Sequence, residues 1–536
     1  MKKYLVCVVA LLVLAMGVTG CTTGTSGDEM VIRYNVGTEP ETMDVHLSTG
    51  IPEATMMLQI YETLTRMDVD GNPQPAIAES WDISPDGREY TFYLRESTWD
   101  NGEDLTAHDF EWSWKRALAP ETAADYAYML YPIKGAQAYN SGDGSAEAVG
   151  IEATDDYTLK VTLEGPTPYF LSLVSFKTYY PVYRENVEAD PEGWHLSVET
   201  TVGNGPFKLV KWGEGQMEFV PNENYWDADA VKADRLVFDM VENASTELTM
   251  FENGEIHMTN TVPGQEIPRL SSMPELKIFP YLGTYYYIFN LDKEPFDDIR
   301  VRKALTMAID RTSIVENVTQ GGQLPAFAFV PPGVPEPDGS DFRENGGDYF
   351  TEDIEKAQNL LAEAGYPDGE GFPSFEILYN TSEDHKVIAE AIQEMWKVNL
   401  GIEGVTLTNQ EWGTYLDSRD EGDFTVARAG WIGDYNDPNT FLDMWTTDNG
   451  NNNSNFSDAD YDRLVDECLV EENMVSRAQK LHELEDILME EMPVMPIYYY
   501  TQPMMVSEQL KGYSCIIIGG IDFKTAYLED LEEAEE

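Results

Sequence analysis

The sequence predicts a mixed α/β protein of two or three domains, and three observations carry that expectation. Alternating positions such as Tyr90, Phe92 and Leu94 mark strands, positions of helical period such as Phe110, Trp114 and Leu118 mark helices, and both kinds recur along the chain. A length of 536 residues exceeds what one ordinary core organises. A hydrophobic fraction of 42%, with 12% aromatics, is enough to fill several.

A formal charge of −63 rules out nucleic acid as a natural partner and fits solubility at an outer surface. At the N-terminus Lys2 and Lys3 precede an apolar run over residues 4–16, too short for an ordinary membrane span of about 20 residues. The run reads as an export signal. Val18, Thr19, Gly20 and Cys21 follow it, and a small-residue site ending at a cysteine resembles the lipobox of bacterial lipoproteins. That resemblance implies cleavage before Cys21 and lipid on its thiol, with TTGTSG as a tether. Cys468 and Cys515 are then the two cysteines free to pair, and sequence leaves that open.

Taken in order, a strand VIRYNVG from Val31 leads through a loop over 40–53 into a helix carrying Met56, Met57, Ile60 and Leu64. Asp68 and Asp70 hint at a calcium loop, but the other ligands are missing and Asp70-Gly71 suits a hairpin turn. A Pro-Asp-Gly turn then precedes the strand of Tyr90, and Thr106 caps the helix of Phe110 and Trp114. Residues 296–311 form an amphipathic helix with Val301, Leu305 and Ile309 on one face.

The stretch FTVARAGWIGDYNDPNTF, residues 424–441, stands apart. It starts as a strand, and Asp437 before Pro438 reads as the cap of a helix running through Phe441, Leu442 and Trp445. Two charges remain. Arg428 lies among small and apolar residues, where a guanidinium is costly unless an anion meets it, and Asp434 is not explained by capping. They form either a structural ion pair around a core Trp431 or a binding site.

The order of Trp81, the Pro-Asp-Gly turn, the TFYLR strand, the WDNG loop and the TAHDF helix resembles the extracytoplasmic peptide-binding proteins of ABC importers. The likeness continues through ATDDYTLKVTLEGPTPYFLSLV, GNGPFKLVKW and FDDIRVRKALTMAIDR. LYNTSEDHK and VARAGWIGDYNDP are the segments most specific to the oligopeptide branch. The resemblance implies a two-lobed, hinged periplasmic-binding-protein-like fold of type II with the extra domain of the peptide branch. Residues 1–20 would be the signal peptide and 21–30 the tether. Residues 31–62, 187–282 and 501–536 would form lobe I, 63–186 the extra domain and 283–500 lobe II. The implied function is capture of short oligopeptides between the lobes and delivery to an ABC permease, by a monomer held to the membrane through Cys21, without cofactor or metal.

By the same resemblance Asp434 binds the peptide amino terminus, while Arg428 and His385 serve carboxylates of particular peptide lengths. Gly430, Ile432 and the loop around Ile51 meet the peptide backbone as an added strand would. Trp431, Trp412, Tyr126, Tyr286, Tyr500, Asn260 and Thr49 are the expected pocket walls. Thr49 stands where an acidic residue can occur in the branch, and Thr319 replaces a lysine able to meet short-peptide carboxylates. Gly283 and Ile432 occupy two positions that can be paired cysteines.

An exported hydrolase is the rival class. His482-Glu483 begins a zinc motif, but Asp486 stands where the second His belongs, and no GxSxG, CxxC or GxGxxG appears. Asp458, Asp460 and Asp462 begin like an EF-hand but lack its Gly and closing Glu, so they read as acids at a helix start. The closer rival is another solute in the same fold: a nickel chelate, haem or an oligosaccharide. The absence of clustered His or Cys speaks against direct metal capture.

Overall fold

A computed structural model describes residues 29–69 and 71–529. The signal, Cys21 and most of the tether lie outside the described residues, as does Asp70 of the hairpin turn. That turn's flanking strands, Thr65–Met67 and Pro73–Pro75, do pair antiparallel.

Three principal sheets organise the chain. In the first, Val31–Asn35 pairs parallel with Arg235–Asp239, followed by Gln216–Pro221 and Phe207–Gly213 in antiparallel order. Its alternating residues Ile32, Tyr34, Leu236 and Phe238 fill one core together with Met56, Met57 and Ile60 of the helix Ile51–Ile60. The second sheet is antiparallel, in the order Ala78–Ile83, Glu89–Leu94, Thr158–Thr162 and Ile151–Asp155. Against it packs the helix Ala107–Leu118, whose Phe110, Trp114 and Leu118 are buried as their spacing predicts. The Asp109 carboxylate accepts from both the N–H (2.7 Å) and the hydroxyl (3.0 Å) of Thr106, closing the first turn.

The third sheet has six strands, Leu324–Pro325, Val494–Met505, Leu276–Phe289, Val426–Ile432, Phe375–Asn380 and Val405–Gln410 in that order. The last two are parallel, and the helix Glu383–Leu400 makes the crossover between them. Two strands do more than build this sheet. Leu276–Phe289 and Val494–Met505 pair from Leu276 with Met505 to Ile288 with Val494, with register shifts between Pro280 and Thr284 and between Tyr285 and Tyr286. Isolated bridges from Val506 to Met258 and from Met258 to Tyr34 tie their outer end to the first sheet. The expected boundaries at 282/283 and 500/501 therefore fall inside two continuous strands.

Several local expectations change. The helix Ile51–Ile60 ends short of Leu64, and the helix carrying Val301 and Leu305 is Ile299–Met307, short of Ile309. The helix after Asp437 is a single turn, Asn439–Leu442, followed by a 3-10 turn, Asp443–Trp445. Asp437 accepts from Asn439 N–H at 2.9 Å, but both of its oxygens also pair with Arg477 at 2.8 Å. His482, the start of the incomplete zinc motif, stacks on Phe342 at 3.9 Å and bonds Glu336 at 2.8 Å. Cys468 and Cys515 are both free, and among the described residues no helix is long and apolar enough to cross a membrane.

Candidate functional site

The strand Val426–Ile432 alternates strictly. Ala427, Ala429 and Trp431 face a large apolar core, while Arg428, Gly430 and Ile432 face the opposite side. That side opens onto a cleft made of two adjoining cavities, and Gly430, Ile432, Ile51 and Trp412 line both. The residues expected to meet peptide backbone thus form the neck between them. Asp434, Tyr126, Trp431 and Thr49 line the first cavity. Arg428, His385, Tyr500 and Asn260 line the second, together with Thr319.

In the first cavity Asp434 is buried just past the strand end. Its N–H donates to Thr440 Oγ1 at 3.0 Å, and that hydroxyl lies 3.3 Å from Asp434 Oδ2. Burial pushes the carboxyl up to about 7, against the opposing pull of the nearby Lys177 ammonium. Trp431 donates its indole N–H to Thr440 O at 2.7 Å, and it stacks with Tyr126 at 6.0 Å.

In the second cavity Arg428 has no carboxylate partner among the described residues: its guanidinium donates to Tyr500 Oη at 2.7 Å and to Asn380 Oδ1 at 3.3 Å, and it lies over the Tyr285 ring at 4.8 Å. Its buried Nε is left without an acceptor. Arg428 and Asp434 are therefore not paired with each other, which removes the structural-pair alternative. Glycine is required at 430, because a side chain there would run into the Tyr500 hydroxyl and the Arg428 guanidinium. His385 sits in the first turn of the helix Glu383–Leu400, with Nδ1 at 3.3 Å from Tyr285 Oη. Burial, and then the Arg428 charge beside it, hold its imidazole well below the ordinary value, so it is neutral. It offers a hydrogen bond to an anion rather than a charge.

One expected wall residue lies elsewhere. Tyr286 is buried in the apolar core against Phe329 (5.0 Å) and Trp445 (6.0 Å). It pairs in register with Ala429, whereas its neighbour Tyr285 pairs with Gly430. Tyr285 is the one that touches Arg428 and His385. Sequence reading also missed Asn380, Tyr281 and Tyr498 in the second cavity, and Lys177 in the first. Gly283 and Ile432 are register partners on adjacent strands.

Hydrogen bonds join elements on the two sides of the cleft. Trp412 Nε1 donates to Glu53 Oε1 at 3.2 Å, and Glu383 accepts from Ser245 N–H and Oγ, both at 2.9 Å. Tyr169 stacks on Tyr435 at 4.6 Å beside a separate cavity. Among the described residues no group of three or more His, Cys, Asp and Glu is placed to hold a metal ion.

Residues 72–453 match the family of bacterial extracellular solute-binding proteins, family 5. The chain belongs to this family. It is 37% identical to the oligopeptide-binding protein OppA of Bacillus subtilis, over 99% of this chain and 100% of that one. Among solved structures it superposes on Haemophilus influenzae OppA, in complex with the peptide RPPGFSPFR, with a TM-score of 0.89 at 34% identity, covering 94% of this chain and 99% of that one. The fold is thus the hinged, two-lobed architecture of the peptide-binding members of this family. The murein tripeptide-binding protein MppA of Escherichia coli adds a conformational comparison. At 34% identity and 94% coverage of this chain, one MppA structure matches with a TM-score of 0.87, over 99% of its own length. The unliganded open form of MppA matches with 0.62, over 98% of its length. Sequence is constant between the two, so the difference is one of lobe arrangement, and this chain has an arrangement other than the open one.

Proposed function

We propose that the protein captures short oligopeptides between its lobes and hands them to the permease of an ABC importer, anchored outside the cell membrane by lipid on Cys21. The observation that carries this reading is the cleft's polarity. A buried carboxylate stands at one end, a half-buried guanidinium with no ion-pair partner among the described residues at the other, and Gly430 lies between. A peptide of any sequence offers an ammonium, a carboxylate and amides in that order. Unpaired buried amides cost about 1–3 kcal/mol each, which makes a strand-like neck a useful feature of a receptor for many sequences. The relatives named above, oligopeptide- and murein tripeptide-binding proteins, support the same class.

On this reading Asp434 takes the ammonium, Arg428 and His385 a carboxylate at certain lengths, and Trp412, Trp431, Tyr126, Tyr500, Asn260 and Thr49 the surroundings. The division into lobe I, lobe II and the extra domain follows the three sheets, and the strands Leu276–Phe289 and Val494–Met505, with their break in register at Pro280, serve as the hinge. Closure on ligand then creates the surface the permease recognises. The protein acts as a monomeric carrier rather than an exported hydrolase, and the stacked, hydrogen-bonded His482 supports that choice. Mass spectrometry of ligand released from purified protein tests the reading: endogenous peptides are expected, and a haem, a sugar oligomer or a metal chelate in their place would overturn it.

A further inference from the structure

The first cavity contains a cation that plays no part in the reading above. Lys177 begins the 3-10 turn Lys177–Tyr179, is 4% exposed and lines the same cavity as Asp434. Its ammonium donates to Gly50 O at 3.0 Å, and the rings of Tyr126 and Phe176 lie 5.3 and 5.7 Å from it. Among the described residues no carboxylate comes within ion-pair distance of Nζ. An ammonium has three donors, so two remain open in a site where an unpaired charge is costly. Burial draws it down to about 8, against the through-space attraction of Glu53, Asp434 and Glu41, so it is charged at neutral pH.

The other charged groups of this cavity have hydrogen-bond or ion-pair partners of their own. Arg66 is paired with Glu62 at 2.9 Å and with Asp522 at 2.7 Å. Arg419 donates to Asn453 Oδ1 at 3.1 Å, and Asp420 accepts from Asn453 Nδ2 at 2.9 Å. Glu53, beneath Gly50, accepts at Oε1 from Glu41 N–H at 2.8 Å and from Trp412, while its buried Oε2 has no partner among the described residues, and its field on Lys177 is the strongest of the three carboxylates. Lys177 is the cation of this cavity whose field reaches Asp434, so it faces the ligand beside the peptide ammonium. The first side chain of the peptide springs from the carbon that bears the ammonium, so it shares this cavity.

We propose that Lys177 makes the amino-terminal subsite selective for charge, favouring peptides whose first side chain is anionic and disfavouring those whose first side chain is cationic. Two ammonium groups then compete for one carboxylate when the first residue is lysine or arginine, whereas a glutamate or aspartate there fills the open donors of Lys177. This selectivity deepens the peptide reading and rests on Asp434 as the ammonium partner.

Calorimetry on the full mature chain tests it, with sets of tri- to pentapeptides of alanine whose first residue is glutamate, alanine or lysine, and an N-acetylated alanine set. The wild-type protein is expected to bind the glutamate-first set at least roughly tenfold more tightly than the lysine-first set. Lys177→Arg should keep that order, and Lys177→Met should level or reverse it while still binding the alanine set. An unchanged glutamate-to-lysine ratio in Lys177→Met, or a wild-type preference for lysine first, would overturn the role of Lys177. If Lys177→Met fails to bind at all, the wild-type order alone decides. Equal binding of acetylated and free alanine peptides would instead remove the ammonium reading on which the inference stands.

Discussion

At one end of the cleft a carboxylate, Asp434, is buried within reach of a lysine's field; at the other a guanidinium, Arg428, is half-buried among tyrosines with no carboxylate among the described residues within ion-pair distance. The two ends differ in kind as well as in sign. Asp434 has a protonation state that burial has moved into the physiological range, so its charge depends on what enters the cavity. Arg428 is charged at any pH the protein meets, and its neighbours are hydroxyls, an amide and a neutral imidazole, which move aside for an anion at little electrostatic cost. The first arrangement suits a group present in every ligand at the same place, and the second one that arrives only in ligands of the right length.

The largest effect should come from removing the constant contact. Asp434→Ala is expected to cost about 2–5 kcal/mol of peptide binding, by analogy with truncated buried charge pairs, and equally for all lengths. Calorimetry with a length series checks this, and an unchanged affinity in a folded variant would dissolve the contrast between the ends.

Acidity should act on the same end alone. With Asp434 raised to about 7, the empty protein binds a proton more tightly than the unfolded chain does. This group's contribution to stability therefore grows as pH falls from 7 toward the ordinary carboxylate value. Peptide binding needs the ionised form, so affinity is expected to drop by roughly tenfold per unit below pH 7, and the thermal shift produced by ligand to shrink with it. A flat affinity between pH 5 and 7 would place the ammonium elsewhere.

Arg428→Met should cost about 1–3 kcal/mol, but for one or two peptide lengths only. A uniform loss across the series would mark Arg428 as a structural residue and leave the second cavity without a carboxylate site. The smallest change concerns closure. Trp412→Phe removes the indole donor to Glu53 across the cleft, and a loss of about 0.5–1.5 kcal/mol, independent of length, is expected. Small-angle scattering should show a larger open fraction in the empty variant, and no difference would move the latch to other pairs such as Glu383 with Ser245.

Strand periodicity made half of the site legible. Once 424–432 reads as a strand, Arg428, Gly430 and Ile432 must share a face, and the structure puts that face on the cleft. Periodicity without register misled for Tyr286. Three consecutive tyrosines look alike in sequence, and only the pairing of Tyr285 with Gly430 decides which of them packs behind Arg428 and His385. Asp437 was read locally as a cap, correctly in part, but its main partner Arg477 arrives from a distant helix. Lys177 was invisible for a similar reason. It stands in an irregular turn, and its meaning arises from Asp434 and Gly50, which long-range folding brings to it. The order of the sheets, with two strands shared between their ends, has no local signature either.

The central claim, that the cleft recognises a peptide by its free amino terminus, meets its most direct test in calorimetry of a tripeptide-to-pentapeptide library against its N-acetylated counterpart. The account predicts binding of the free-amine library and a loss on acetylation about as large as that of Asp434→Ala; equal binding of the two libraries would contradict it.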